Sequence, residues 1–467
     1  MAARSPKIGL AVVIIFLMSI ALLPTVRAQA PLTPDQIRAA YNVNPLLQSG
    51  YTGKGVTVAV VASNVEKTLY SDLKGFNSKF GLADTIISVA QPYDSGPTSV
   101  NGEETSDIEL VHAMAPDAKI LLVVVGSHSN LEGFSYVIDH NAADIATTSL
   151  FEWYWDSSAD GSSAKTVRSY NDEYANSVKE KITLIATSGD YGSDNTVPKA
   201  GKTSTGDFWT KHLPYSYLMP LYSPWATIVG GTALTLQSGT YSETGWSGSG
   251  GGPSNLFPEP DWQTGPGVPQ NHARNTPDIA LNAACETTYA NYVNASWGNI
   301  CGTSASAPTF AGIMADIEQA AGERLGFLNP TLYSLASSDP TVYHEITSGC
   351  SLLKPNPNDP ATKPGYCAHA GWNFVTGWGS IDATRLAMHL APRAHIEPAT
   401  TTTTSREHST EATSIIRESR TEKVNTNQSN MKGFEYSPYI LAGLVIAALT
   451  IVGFTYARKR ATKTQSG

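Results

Sequence analysis

The chain has 467 residues, of which 15% are charged and 41% hydrophobic, with a formal net charge of −9. That length admits one large domain or two ordinary ones, and the acidic balance excludes the broad basic face on which nucleic-acid binding depends. A charge fraction well below the roughly 25% of average soluble domains leaves few carboxylates to neutralise, and few cations to repel one another, in acid.

Arg4 and Lys7 precede an apolar run from Ile8 to Leu23, followed by Pro24 and Ala28-Gln29-Ala30. Charge, a short apolar stretch and an A-x-A exit predict a secretory signal peptide over residues 1–30, cleaved after Ala30. The run is short for an uncleaved anchor.

Residues 31–391 then alternate two patterns. Gly55–Ala62, Ala118–Val125, Asp144–Leu150, Ile182–Thr187 and Ala226–Val229 are apolar, strand-length runs, while Asp107–Ala115 and Ser304–Ala321 have helical character. Continuous apolar strands separated by helices predict an α/β domain with a doubly wound, mostly parallel sheet flanked by helices. In such sheets functional groups gather beyond the carboxyl ends of the strands.

Three segments in that domain carry chemistry. Glu103 and Asp107 are four residues apart and share one face of a helix. Two carboxyls in contact do not both ionise cheaply, so they share a proton and leave Glu103 able to accept one in mild acid. Alone, an E-x-x-x-D spacing is far more often a solvated helix face. Asp190 follows the strand Ile182–Thr187 in Ser188-Gly189-Asp190, where it can form an Asx-turn or, protonated, donate to a developing oxyanion. Ser304 stands in Gly302-Thr303-Ser304-Ala305-Ser306-Ala307-Pro308 at the mouth of an apolar helix. It reads as a nucleophile above an N-cap, with Ser306 the competing assignment.

The four cysteines, Cys285, Cys301, Cys350 and Cys367, read as two disulfides in an exported chain. Of three pairings, 285–301 and 350–367 are favoured because each closes a short local loop. Zinc is the rival reading, without a C-x-x-C spacing to support it. Residues 392–435, with a Ser/Thr/Glu/Arg-rich stretch opening at Thr400, cannot bury a core and predict a disordered stalk. Asn427-Gln428-Ser429 there, and Asn294-Ala295-Ser296 in the globular region, are N-glycosylation sequons. The apolar run Pro438–Tyr456, edged by Tyr436, Tyr439 and Tyr456 and followed by Arg458-Lys459-Arg460, predicts one transmembrane helix over 436–457. Residues 458–467 then form a short basic cytoplasmic tail. The expected location is the cell membrane, single-pass, with the globular domain extracellular.

G-T-S-x-x-x-P is a subtilisin-type nucleophile motif, yet none of the ten histidines lies in the H-G-T-H context that would supply the usual base. With Glu103/Asp107 in the base's place, Asp190 after its strand, and Gly250-Gly251-Gly252-Pro253 and Thr276-Pro277-Asp278 between, residues 31–391 resemble the sedolisin family of serine-carboxyl peptidases. The resemblance implies a subtilisin-like fold and serine-type endopeptidase or tripeptidyl-peptidase action on protein or peptide substrates in acid. It implies a triad of Ser304, Glu103 and Asp107, with Asp190 at the oxyanion. It also implies one calcium ion held by Glu345, the carbonyls of Ile346, His369 and Gly371, and Asn373. The family pattern has aspartates where this chain has Glu345 and Asn373, which leaves one fewer negative charge for a hard cation; a loop braced by the 350–367 disulfide without the ion is the competing reading. Pro31–Tyr41 already resembles the start of a mature domain, so no prosegment is expected between it and the signal. Two alternatives stand beside the peptidase: an inactive cell-surface binding protein with the same fold, and a neutral subtilisin-like enzyme with His112 as a relocated base. Ionised Glu103 beside a protonated partner predicts a bell-shaped pH dependence centred at about pH 3 to 5. Cleavage preference and oligomeric state are not written in these residues.

Overall fold

The computed structural model describes residues 29–93, 102–155, 161–193, 216–353 and 363–397. The signal segment through residue 28, the stalk beyond residue 397, the Asn427 sequon, the expected span and the basic tail lie outside the described residues. Among the described residues, no helix is long and apolar enough to cross a membrane.

The expected sheet is present. Its strands are β1 (Thr57–Ala62), β2 (Ile87–Ala90), β3 (Lys119–Val124), β4 (Ile145–Thr148), β5 (Thr183–Thr187), β6 (Thr227–Gln237), β7 (Thr240–Gly245) and β8 (Ile279–Asn282), in the spatial order β8-β6-β5-β4-β1-β3-β2. All neighbours along that path pair in parallel; β7 joins β6 antiparallel. The reversal of strand order around β1 is what a doubly wound sheet requires. Alternate residues of β1 enter two cores: Val58 and Val60 pack in one with Ile108 and Phe310, Ala59 and Val61 in the other with Phe134 and Val137. Burial on both faces explains why the strands read as unbroken apolar runs.

Four helices matter to the site: α1 (Leu69–Phe80), α2 (Glu103–Met114), α3 (Leu131–Asp139) and α4 (Thr303–Ala321). Helices α2 and α4 pack directly on one another. A Cβ on Gly312 of α4 would lie 2.7 Å from both the Met114 Cβ and the Val111 carbonyl oxygen, so this approach requires glycine. Every residue of α2 from Glu104 to Met114 is buried; the acidic helix has no solvated face. Between β8 and α4 a hairpin, Tyr289–Val293 paired with Ser296–Ile300, turns at Asn294 and Ala295, both with positive φ. Both expected disulfides are formed, Cys285–Cys301 and Cys350–Cys367.

Candidate active site

Glu103, Asp107, Asp190 and Ser304 meet beyond the carboxyl ends of β1, β4 and β5. Helix α4 opens at Gly302, whose φ of 99° and ψ of 164° turn the chain sharply so that Ser304 sits in the first turn, partly open to solvent. Its hydroxyl is near enough to the Glu103 carboxyl to favour the ionised form of that acid. Glu103, the first residue of α2, is likewise partly open, whereas Asp107, one turn deeper, is 2% exposed. The accessible pair is therefore serine and glutamate, with the aspartate sealed beneath.

Their electrostatics follow from that layering. Burial pushes Glu103 above its ordinary value; the Ser304 hydroxyl opposes this, and the neighbouring Asp190 and Glu66 charges add to it. Burial, and then the Glu103 charge, push Asp107 well above the usual carboxylate range, with the Ser149 hydroxyl pulling back. Both shifts favour the protonated forms of the two carboxyls.

Asp190 is oriented from behind. Its Oδ1 accepts from the Thr303 backbone N–H at 2.8 Å and from the Thr303 hydroxyl at 2.7 Å. Thr303 Oγ1 in turn accepts from the Gly189 N–H at 3.0 Å and from the Thr187 hydroxyl. An added Cβ at Gly302 would come within 2.4 Å of Asp190 Oδ2. The glycine of the motif thus gives this carboxyl room beside Ser304.

Pro308 explains the far end of the motif. Lacking an N–H, it cannot bond to the carbonyl of residue 304, four positions back. That carbonyl accepts from the Ser149 hydroxyl at 3.1 Å instead, and the same hydroxyl lies 3.1 Å from Asp107 Oδ1. Ser149 directly follows β4; its place at a strand end was visible in the sequence, its link between Asp107 and the Ser304 carbonyl was not. Glu66 is a second residue that sequence reasoning missed. Its Oε1 accepts from Gly102 N–H at 2.8 Å and its Oε2 from the Thr105 hydroxyl at 3.1 Å, fixing the start of α2. Glu104 beside it is raised to about 8, chiefly by burial.

The competing residues fall away from the cleft. Ser306 is fully buried and donates to the Thr303 carbonyl at 2.9 Å. His112 is fully buried, hydrogen-bonded to the Ala83 carbonyl at 2.9 Å, and lowered to about 4 by burial. Glu109, also on α2, accepts from Tyr292 N–H at 3.0 Å and is raised to about 9 by burial.

The residues expected to hold calcium form a separate loop. Glu345 Oε1 accepts from Gly371 N–H at 2.9 Å, and Asn373 Nδ2 donates to the His369 carbonyl at 3.3 Å. Ile346 is buried. Among the described residues no group of three or more His, Cys, Asp or Glu side chains gathers as a metal site.

Comparison with known proteins gives the site its context. The subtilase family matches residues 95–332. Kumamolisin from a Bacillus species is 31% identical over 383 residues, spanning 78% of this chain and 64% of that protein. Sedolisin from a Pseudomonas species is 30% identical over 368 residues, spanning 73% and 59%. Human tripeptidyl-peptidase 1 is 28% identical over 382 residues, spanning 76% and 64%. The chain therefore spans about three fifths of the length of these relatives. A solved structure of Pseudomonas sedolisin, a serine-carboxyl proteinase in complex with pseudo-iodotyrostatin, superposes with a TM-score of 0.64 at 27% identity and covers 78% of this chain and 99% of that one.

Proposed function

Because this chain belongs to the subtilase family, in its sedolisin branch, we propose that it is an acid-acting serine-carboxyl peptidase that cleaves protein or peptide substrates. The observation that carries the proposal is the juxtaposition of the Ser304 hydroxyl with the Glu103 carboxyl, both partly open to solvent, with Asp107 buried behind the glutamate. Glu103 takes the Ser304 proton as Oγ attacks the scissile carbonyl carbon. The carbonyl oxygen becomes an oxyanion beside the Ser304 N–H at the α4 N-terminus and a protonated Asp190. Collapse expels the amine, which takes the proton from Glu103 and leaves an acyl-enzyme on Ser304. Water, giving its proton to Glu103, attacks the acyl carbon; the bond to Ser304 Oγ then breaks, Oγ takes the proton back from Glu103, and the acid is released. Asp107 keeps the shared proton where it steadies Glu103 in each state.

Raised values for both carboxyls put the acid limb of the pH profile above the ordinary glutamate value of about 4.3. Glu103 loses its function as base below its own titration, and the alkaline limb comes from the proton held by Asp107 or Asp190.

The same proposal includes an outward-facing tether. It is supported by the leader pattern of residues 1–30 and by the apolar run Pro438–Tyr456 with its basic flank. Asn294 lies exposed at a hairpin turn, accessible to a glycosyltransferase.

Incubating the purified chain with a denatured protein over about pH 4 to 6, from the ordinary carboxylate range upward, tests the activity. Cleavage by the wild type and none by Ser304→Ala is expected. Equal behaviour of the two would make the chain a binding protein on a peptidase fold.

A further inference from the structure

Calcium takes about six to eight oxygen ligands and gains affinity from their charge; the loop around Asn373 presents a different donor set. Asn373 is 1% exposed, and its two amide atoms are told apart by their partners. Oδ1 accepts from Val375 N–H at 3.1 Å, from Thr376 N–H at 3.0 Å and from the Thr376 hydroxyl at 3.1 Å. Exchanging the amide atoms would set an NH2 group against two backbone N–H donors, so the orientation is fixed. Nδ2 consequently points at the His369 carbonyl oxygen, 3.3 Å away. That carbonyl is one of the oxygens a calcium ion would need, and Asn373 offers it hydrogens where an ion would need a lone pair. Glu345 is the only carboxylate in the expected ligand set, and its Oε1 is on the Gly371 N–H. The residues present do not fit the ion.

The loop is closed by other means. Asn373 and Gly377 exchange backbone hydrogen bonds at 3.0 and 2.8 Å, and Trp372 N–H donates to the Pro266 carbonyl at 2.9 Å. The Cys350–Cys367 disulfide braces the strand that leads in. Aspartate at position 373 would reverse the local chemistry. One carboxylate oxygen would keep Val375 and Thr376; the other, charged, would face the His369 carbonyl oxygen, a repulsion that a cation between them relieves.

We infer that Asn373 closes this loop by a direct amide-to-carbonyl clasp in place of a calcium ion, and that the single substitution Asn373→Asp turns the clasp into a calcium site. The inference concerns stability and metal content, and stands whether or not the peptidase reading does.

Thermal unfolding and metal content of the full purified chain test it, at a pH about one unit above the ordinary carboxylate value of about 4, in chelator and in millimolar calcium. The wild type is expected to hold no calcium after dialysis and to melt at the same temperature in both. Asn373→Asp is expected to melt lower in chelator and to regain stability with added calcium, its melting temperature rising with concentration as ligand linkage requires. Asn373→Ala should melt lower in both, without recovery. Stoichiometric calcium on the wild type, or a wild-type melting temperature that falls in chelator, would overturn the clasp. An Asn373→Asp chain that calcium does not stabilise, or that fails to fold even with calcium, would overturn the conversion.

Discussion

At the scale of single residues, Ser149 and Pro308 form a device that neither motif announces. Proline at 308 withholds the N–H that an ordinary helix would offer to the Ser304 carbonyl, and Ser149 supplies a hydroxyl there while also reaching Asp107. Ser149→Ala should lower the turnover number by about tenfold, the cost of about 1.4 kcal/mol expected for one lost hydrogen bond. Its pH profile should change in a defined direction. The Ser149 hydroxyl lowers the Asp107 pKa, so removing it lets Asp107 keep its proton longer and moves the alkaline limb to higher pH. A pH–rate series on the variant checks both; an unshifted limb would mean that the limb belongs to Asp190. Asp190→Asn has its own signature. An asparagine Oδ1 can accept from Thr303 as Asp190 Oδ1 does, leaving an NH2 as a donor at any pH. The variant should lose part of the alkaline decline while its maximum falls. Glu103, Asp107, Asp190 and Ser304 were all legible in the sequence because each lies in a short motif. Ser149 and Glu66 were not, since their partners lie 42 and 36 residues away and no local pattern records that meeting.

At the scale of elements, the fit of α2 against α4 sets the distance between Glu103 and Ser304. Gly312 permits it, and Glu66 anchors the first turn of α2 by two hydrogen bonds. Glu66→Ala leaves the Gly102 N–H without its acceptor in a buried setting, a cost of about 1–3 kcal/mol. A lower melting temperature together with reduced turnover is expected, both partly restored in Glu66→Gln, which retains one acceptor. Reduced turnover with an unchanged melting temperature would show that Glu66 does not hold the helix. Five of the seven parallel strands, β1, β3, β4, β5 and β6, and the two long helices were readable from the sequence; the four-residue strands β2 and β8 at the two ends of the path were not. The hairpin Tyr289–Ile300 was not, because its strands are half exposed and show no clean alternation. It is held by carboxylates from other elements: Asp72 of α1 accepts from Asn294 and Ala295 N–H groups at 2.8 and 2.9 Å, and Glu109 of α2 from Tyr292. Helix α2 itself was expected as a helix, but its acidic residues suggested a solvated face, where the structure buries Glu104, Asp107 and Glu109 and leaves Glu103 partly open.

At the scale of the whole molecule, those buried carboxyls tie stability to acid. Burial raises Glu104 and Glu318 to about 8 and Glu109 to about 9, and pushes Asp107 and Asp316 well above their ordinary range. A carboxyl raised in the folded state contributes stability that is fully present below its unfolded value, near 4, and is lost as pH climbs through the folded one. Within that window the unfolded chain releases protons that the folded chain keeps, and one such group alone gives a slope of about 1.4 kcal/mol per pH unit. The melting temperature should therefore be highest in acid and fall steadily from about pH 4 to about pH 8; a melting temperature that rises over that interval would mean that these groups are ionised and paired in the fold. Low overall charge was visible in the composition, but which acids are buried depends on packing that no local pattern encodes. The carboxylate base is tested most directly by the pH dependence of kcat/KM for a peptide substrate, measured side by side for the wild type, Glu103→Gln and His112→Ala. A bell confined to acid, abolished in Glu103→Gln and retained in His112→Ala, is the expected result. A rate that climbs to a plateau at neutral pH, survives Glu103→Gln and disappears in His112→Ala would contradict it.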